Sequence, residues 1–189
     1  MSQLQHSTPA AAGLRVAGGD AQQYLVFALY DEAFAIGIRN IKEIIEYGHL
    51  TEVPMMPEVV RGVINLRGAV VPVADLAVRF GRARTVVGRR TCIVIVEVES
   101  EPGQFQVIGI LVDAVNEVLE IPPQDIEPPP AFGTHIRSDF VAGMGKISGK
   151  FVIILELKHL LSLEELASVT DQPALADAAK AGDKPLLAS

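Results

Sequence analysis

The chain carries one pattern twice, and the duplication constrains its fold more than any other feature. "VRGVINLRGAVVPVADL" from Val60 lies on "VAGMGKISGKFVIILEL" from Val141 at a constant offset of 81, so that Gly62 meets Gly143, Gly68 meets Gly149 and Asp75 meets Glu156. Upstream, "IGIRNIKEIIE" from Ile36 recurs as "IGILVDAVNEVLE" from Ile108 with two residues added, and Glu43 matches Glu117. Another apolar run precedes each copy, "YLVFALYD" and "CIVIVEVES". The segments are short, rich in Val and Ile, and cut by Gly and Pro, which favours strands over long helices. Each unit reads as strand, turn, strand, strand, Pro-containing loop, Gly-rich turn, strand. Small β units of this kind are expected to close into barrels, because closure removes the unpaired edges an open sheet would expose. Neither half has a large core alone, so the two are expected to pack together.

The ends differ from this pattern. Residues 1–21 are rich in Ala, Gly, Gln and Ser, and residues 170–189 read "TDQPALADAAKAGDKPLLAS"; neither has a sustained apolar period, and both read as flexible tails. The folded region is expected over 22–167, with a first barrel unit at 22–80, a connector at 81–90 and a second unit at 91–161. A terminal helix is expected over 162–169, where Ser162 and Glu165 make a capping box and Leu163, Leu166 and Ala167 share a face. The connector "GRARTVVGRR" concentrates Arg82, Arg84, Arg89 and Arg90 and reads as solvated.

Composition narrows the function classes. A net charge of −7 and a pI near 5.1 argue against nucleic acid or an anionic membrane surface as partner. No run approaches the roughly 18 uncharged apolar residues of a membrane span, and the first residues lack a basic start and apolar core, so a cytoplasmic address is expected. Cys92 is the one cysteine and sits in a strand-like run, which excludes a disulfide within the monomer.

Catalytic signatures are missing. "GMGKISGK", residues 143–150, holds three Gly and two Lys but lacks phosphate-loop spacing, and the apolar run after it reads as a strand where a phosphate-binding helix would start. His6, His49, His135 and His159 have no ligand-like spacing with one another or with Cys92, so no metal or cofactor is expected. No nucleophile elbow or carboxylate pair stands out.

Arg67 is the residue that composition leaves unexplained. It lies in a strand-like apolar run beside Leu66, and with Asn65 it forms a polar set expected to point away from the core. The repeat places Ser148 at its equivalent, so the shared fold does not require a cation there. Its fixed fork of donors suits a carboxylate or amide on a partner; an ordinary solvated strand arginine is the alternative.

"GVINLRGAVVPVADL", with "QYLVFALYDEAFAIGIRNIKEIIE" before it and "VIGILVDAVNEVLEI" and "FVAGMGKISGKFVIILELKHLL" after it, resembles the CheW family of chemotaxis coupling proteins over roughly residues 22–167. The resemblance implies a mainly β fold of two SH3-like five-stranded barrels packed on each other. It also implies a non-catalytic adaptor that holds the histidine kinase CheA, through the kinase's regulatory domain, to the cytoplasmic tip of methyl-accepting receptors, recruited to membrane-associated arrays without membrane insertion. By position it assigns receptor binding to Ile41, Glu43, Asn65, Arg67 and Val112. Ile41 would supply apolar contact, and Glu43 and Arg67 polar, register-setting contacts, with the receptor or with each other. It assigns kinase binding to Glu127 and Phe132 in "DIEPPPAF". The pattern departs at Glu127, where a basic residue is expected, so a charge contact made there would be lost or reversed. A different class of function, a small-ligand sensor using the groove between the barrels, is the alternative.

Overall fold

The computed structural model describes residues 20–131 and 136–161. Its strands are β1 (Gln22–Leu29), β2 (Glu32–Gly37), β3 (Ile41–Glu46), β4 (Val60–Leu66), β5 (Ala69–Asp75), β6 (Cys92–Glu101), β7 (Gln104–Val112), β8 (Ala114–Ile121), β9 (Ile126–Glu127), β10 (Val141–Ile147) and β11 (Lys150–Leu155). Two one-turn helices, α1 (Leu76–Arg79) and α2 (Leu157–Leu160), follow β5 and β11 at equivalent points of the repeat. The terminal helix expected at 162–169 lies outside the described residues.

The strands form two curled sheets, in the orders β3-β6-β7-β5-β4 and β8-β1-β2-β11-β10-β9. They are the expected pair of SH3-like barrels, with β9 added to the second as a short sixth strand. Under the repeat, β3 corresponds to β8, β4 to β10, β5 to β11, and hairpin β1-β2 to hairpin β6-β7. The two orders are therefore the same order with the hairpins exchanged. Hairpin β1-β2 pairs with β8 and β11 of the second half, while hairpin β6-β7 pairs with β3 and β5 of the first. The units expected at 22–80 and 91–161 thus do not each build one barrel; each half lends its first hairpin to the other's sheet.

The exchange explains the unbroken apolar runs Tyr24–Leu29 in β1 and Cys92–Val96 in β6. Leu25, Phe27 and Leu29 of β1 face the central core, which also takes Val94, Val96, Ile108 and Ile110 from β6 and β7. The alternate residues Tyr24 and Val26 fill the second barrel with Ile121, Val152 and Ile154. On the first-barrel side, Ile93 and Ile95 of β6 join Ile64, Val71 and Val73. A strand buried on both faces reads as a continuous apolar run. A row of rings crosses the central core from Phe27 through Phe34 and Phe80 to Phe140, at centroid separations of 6.1, 5.5 and 6.4 Å, the first two pairs stacked and the last tilted.

Barrel closure uses the equivalent glycines. Thr51 and Val63 exchange backbone hydrogen bonds of 2.9 Å each, which brings the chain after β3 against β4. A Cβ on Gly62 would stand 2.6 Å from the Thr51 carbonyl oxygen, so a side chain there would block the seam. Gly143 does the same work in the second barrel, where a Cβ would stand 2.7 Å from Ile126 Cγ2 and 3.0 Å from the Glu127 carbonyl oxygen.

The connector is more than solvated chain. Asp75, fully buried, accepts hydrogen bonds from the Ala77 amide at 3.0 Å, the Thr85 amide at 2.9 Å, the Thr85 hydroxyl at 2.8 Å and the Arg61 guanidinium at 3.3 Å. It thereby caps α1 and pins the middle of the 81–90 segment, leaving Arg84, Arg89 and Arg90 exposed. A buried carboxylate held by four donors meets the condition for burying a charge.

Candidate functional site

Arg67 is not a strand residue. β4 ends at Leu66, β5 begins at Ala69, and the two residues between them, Arg67 and Gly68, both have positive φ, 51° and 87°. Left-handed backbone at both central positions is the mark of a tight hairpin turn whose twist matches that of its strands. Asn65 stabilises this turn: its side-chain oxygen accepts the Gly68 amide at 2.8 Å. The expectation that Asn65 and Arg67 form one outward strand face is therefore corrected. Both side chains are exposed, but Asn65 holds the loop and Arg67 projects from its tip.

From that tip Arg67 reaches across the barrel. It donates from Nη1 to Glu43 Oε1 at 2.7 Å and from Nη2 to Glu43 Oε2 at 3.0 Å. Glu43 lies on β3 and the turn follows β4, the first and last strands of their sheet, so this fork-to-fork contact bridges the seam that Thr51 and Val63 close below it. Hydrogen bonding to Glu43 raises the Arg67 pKa above its ordinary value, so the guanidinium stays charged. The Arg67 side chain is 77% exposed and that of Glu43 26%, which leaves the arginine presented to solvent in a fixed orientation.

The neighbours of the pair divide by the alternation of β3. Ile41 is half-buried against the central core, with Glu43 beyond a bulge that sets Ile41 opposite Val96 and Glu43 opposite Ile95. Ile44, which the resemblance does not single out, is 43% exposed and stands opposite Val94, on the face of β3 that also carries Ile41. A plain period-two reading of "IKEIIE" would set Ile41 with Glu43 and Ile45, but the bulge moves Ile41 to the opposite face, so strand alternation alone does not give the arrangement. Val112 corrects the expected site. It is fully buried in the central core at the end of β7 and presents no atom to a partner.

The other expected surface is partly in view. Glu127 is exposed on β9, its backbone paired with Met144 of β10, at the edge of the second sheet. Phe132 lies outside the described residues. Where the two sheets meet, a cavity of about 290 Å³ is lined by residues including Tyr24, Val98, Leu155 and Leu157. No cluster of three or more His, Cys, Asp or Glu able to hold a metal occurs among the described residues. No helix among them is long and apolar enough to cross a membrane. The "GMGKISGK" segment forms β10, a tight turn at Ser148 and Gly149, and β11, which leaves no helix start for a phosphate.

Known proteins are similar to this chain in sequence and fold. The model of the CheW-like domain matches residues 23–165. The "Chemotaxis protein CheW" of Klebsiella aerogenes is 33% identical over 148 residues, covering 78% of this chain and 86% of that one. "Protein FrzA" of Myxococcus xanthus is 29% identical over 155 residues, covering 82% and 91%. Among solved structures, the scaffolding protein TtCheW of Thermoanaerobacter tengcongensis superposes with a TM-score of 0.69 at 36% identity, covering 77% of this chain and 96% of that one. Two barrels with exchanged hairpins, a matched domain model and relatives covered over most of their length lead to one conclusion: the chain belongs to the CheW-like domain family.

Proposed function

We propose that this protein is a non-catalytic adaptor of a chemosensory pathway, which couples methyl-accepting receptors to the regulatory domain of the histidine kinase CheA. The observation that carries the reading is the Arg67–Glu43 pair: an exposed guanidinium, oriented by a bidentate contact on a rigid barrel edge. Such a group suits recognition, because it offers free donors at a set angle and loses little conformational freedom on binding. Ile41, Glu43 and Arg67 are assigned to the receptor, with Asn65 in a supporting role through the turn it caps. Glu127 and Phe132 are assigned to the kinase, and the acidic character of Glu127 selects a kinase domain with a basic or neutral counterpart. The site of action is the cytoplasmic face of receptor arrays.

An adaptor needs two surfaces in fixed relation. The exchanged hairpins supply that rigidity, since neither barrel can turn without disturbing β1, β2, β6 and β7 together. Transmission through such a body operates on the scale of about 1–3 kcal/mol. The small-ligand alternative has less support: a junction cavity of about 290 Å³ lies at the lower limit of ordinary ligand pockets.

Reconstitution tests the reading. Receptor-containing membranes and CheA from the same genome are mixed with and without the purified protein, and kinase autophosphorylation is followed. Receptor-dependent activation that requires the protein is the expected result; equal kinase activity with and without it rejects the adaptor function.

A further inference from the structure

The two barrel ends correspond in register and turn conformation, but their turns differ in chemistry: Arg67 answers to Ser148, Asn65 to Lys146 and Ala69 to Lys150. Glu43 stands opposite Ile95 across a bulge in β3; Glu117 stands opposite Val26 across the equivalent irregularity between β1 and β8. The hairpin turns match as well: Arg67 and Gly68 have φ of 51° and 87°, Ser148 and Gly149 of 49° and 78°. In the first barrel the turn supplies the arginine that the glutamate holds. In the second, Ser148 is far too short to span the same gap. Glu117 is exposed and forms no ion pair among the described residues. Beside it opens a cavity of about 650 Å³, whose apolar lining includes Leu119, Ile147 and Phe151, the last 51% exposed. The other charged groups on the lining are Asp31, Glu32 and Lys150, of which Glu32 already accepts from Arg82 at 3.4 Å. The lining is thus apolar, with Glu117 and Asp31 as its carboxylates free of an ion pair among the described residues and Lys150 as its one cation, a small excess of negative charge.

We propose that the mouth of the second barrel binds an arginine side chain delivered by a protein partner, in the place that Arg67 fills within the first barrel. The carboxylate of Glu117 accepts the guanidinium fork, and the apolar lining takes residues flanking the arginine and keeps water from the contact. The net charge of −7 and the local carboxylates repel polyanionic partners and favour a basic segment. Arginine fits better than lysine, because the first barrel shows that this spacing accepts a two-pronged donor. The inference rests on Glu117 and Ser148 and does not depend on the role assigned to Arg67.

The test is an NMR titration of the isotope-labelled full chain with the blocked tripeptide acetyl-Leu-Arg-Leu-amide, and with its citrulline counterpart, which keeps the shape and loses the charge. Saturable shifts of backbone amides within 116–119 and 147–153 are expected for the arginine peptide, with binding weakened about ten-fold or more for citrulline. Glu117→Gln gives a similar loss. Ser148→Arg abolishes binding by supplying the cation in cis, and it folds because Arg67 already adopts the same turn conformation. Equal binding of both peptides, unchanged binding by Glu117→Gln, shifts centred on Glu43, or no shifts at all would each overturn the proposal.

Discussion

Arg67 and Glu43 join the two strands that stand at opposite edges of the first sheet, through two parallel hydrogen bonds of 2.7 and 3.0 Å. The arginine is mostly in solvent, where screening weakens an ion pair, so the contact orients a side chain more than it stabilises a fold. Replacing Glu43 by Gln is therefore expected to leave the urea midpoint nearly unchanged while weakening the receptor contact. A large fall in the midpoint would show that the pair is structural.

Asp75 is the opposite case. Asp75→Ala removes the acceptor for Thr85, the α1 cap and the partner of a largely buried Arg61. Loss of a buried partner of this kind costs about 3 kcal/mol or more. Denaturant unfolding should show that loss, and trypsin should cut faster at Arg82 and Arg84 once the connector is released. An unchanged midpoint and cleavage rate would contradict the anchoring role.

Gly62→Ala and Gly143→Ala probe the seams. Each places a methyl carbon within 3.0 Å of its neighbours, and the expected cost is about 1–3 kcal/mol apiece, read as a lowered melting temperature. Gly48→Ala, with no atom near the added carbon, is the control and should change stability little.

Val112→Ala separates core from contact. A fully buried valine truncated in a close-packed core is expected to cost about 2 kcal/mol, while the folded fraction binds its partners with wild-type affinity. Weakened binding at unchanged stability would restore Val112 to the interface.

The Asp139 carboxyl is held below its ordinary pKa by hydrogen bonds that Arg137 donates at 3.1 and 2.6 Å, with burial opposing. A depressed carboxylate contributes above its unfolded pKa of about 4 and loses that contribution as pH falls through the folded value. An NMR titration of the carboxyl should give a midpoint below the ordinary aspartate value, which rises in Arg137→Gln. A midpoint the same in both proteins would remove Arg137 as the cause.

The duplication, the strand content and the two-barrel architecture were legible in the sequence, because Gly62 with Gly143 and Gly68 with Gly149 mark backbone demands that recur at one offset. Partnering of the strands was not. Alternation tells which face of a strand is buried, and β1 and β6 are buried on both, so nothing local says which half's β3 or β8 lies beside them. The turn at Arg67 was missed for a related reason. Arg-Gly is a weaker hairpin signal than Asn-Gly, although the matching Ser-Gly at 148 and 149 carried the same message. The pairing of Glu43 with Arg67 was raised only through the resemblance, because it depends on barrel closure, which brings together positions 24 residues apart. Val112 entered the site through the resemblance, while the unbroken apolar run "IGILV" already indicated burial.

The central claim is that Arg67 belongs to the receptor surface and not to the kinase surface. The direct measurement compares wild type with Arg67→Glu in two binding assays, one with a receptor cytoplasmic fragment and one with the CheA regulatory domain, after circular dichroism confirms that the variant folds. Placing a carboxylate beside Glu43 replaces a neutral ion pair by two like charges and removes the guanidinium, and the account predicts loss of receptor binding with kinase binding retained. Unchanged binding to both would make Arg67 an ordinary solvated turn residue and contradict the account.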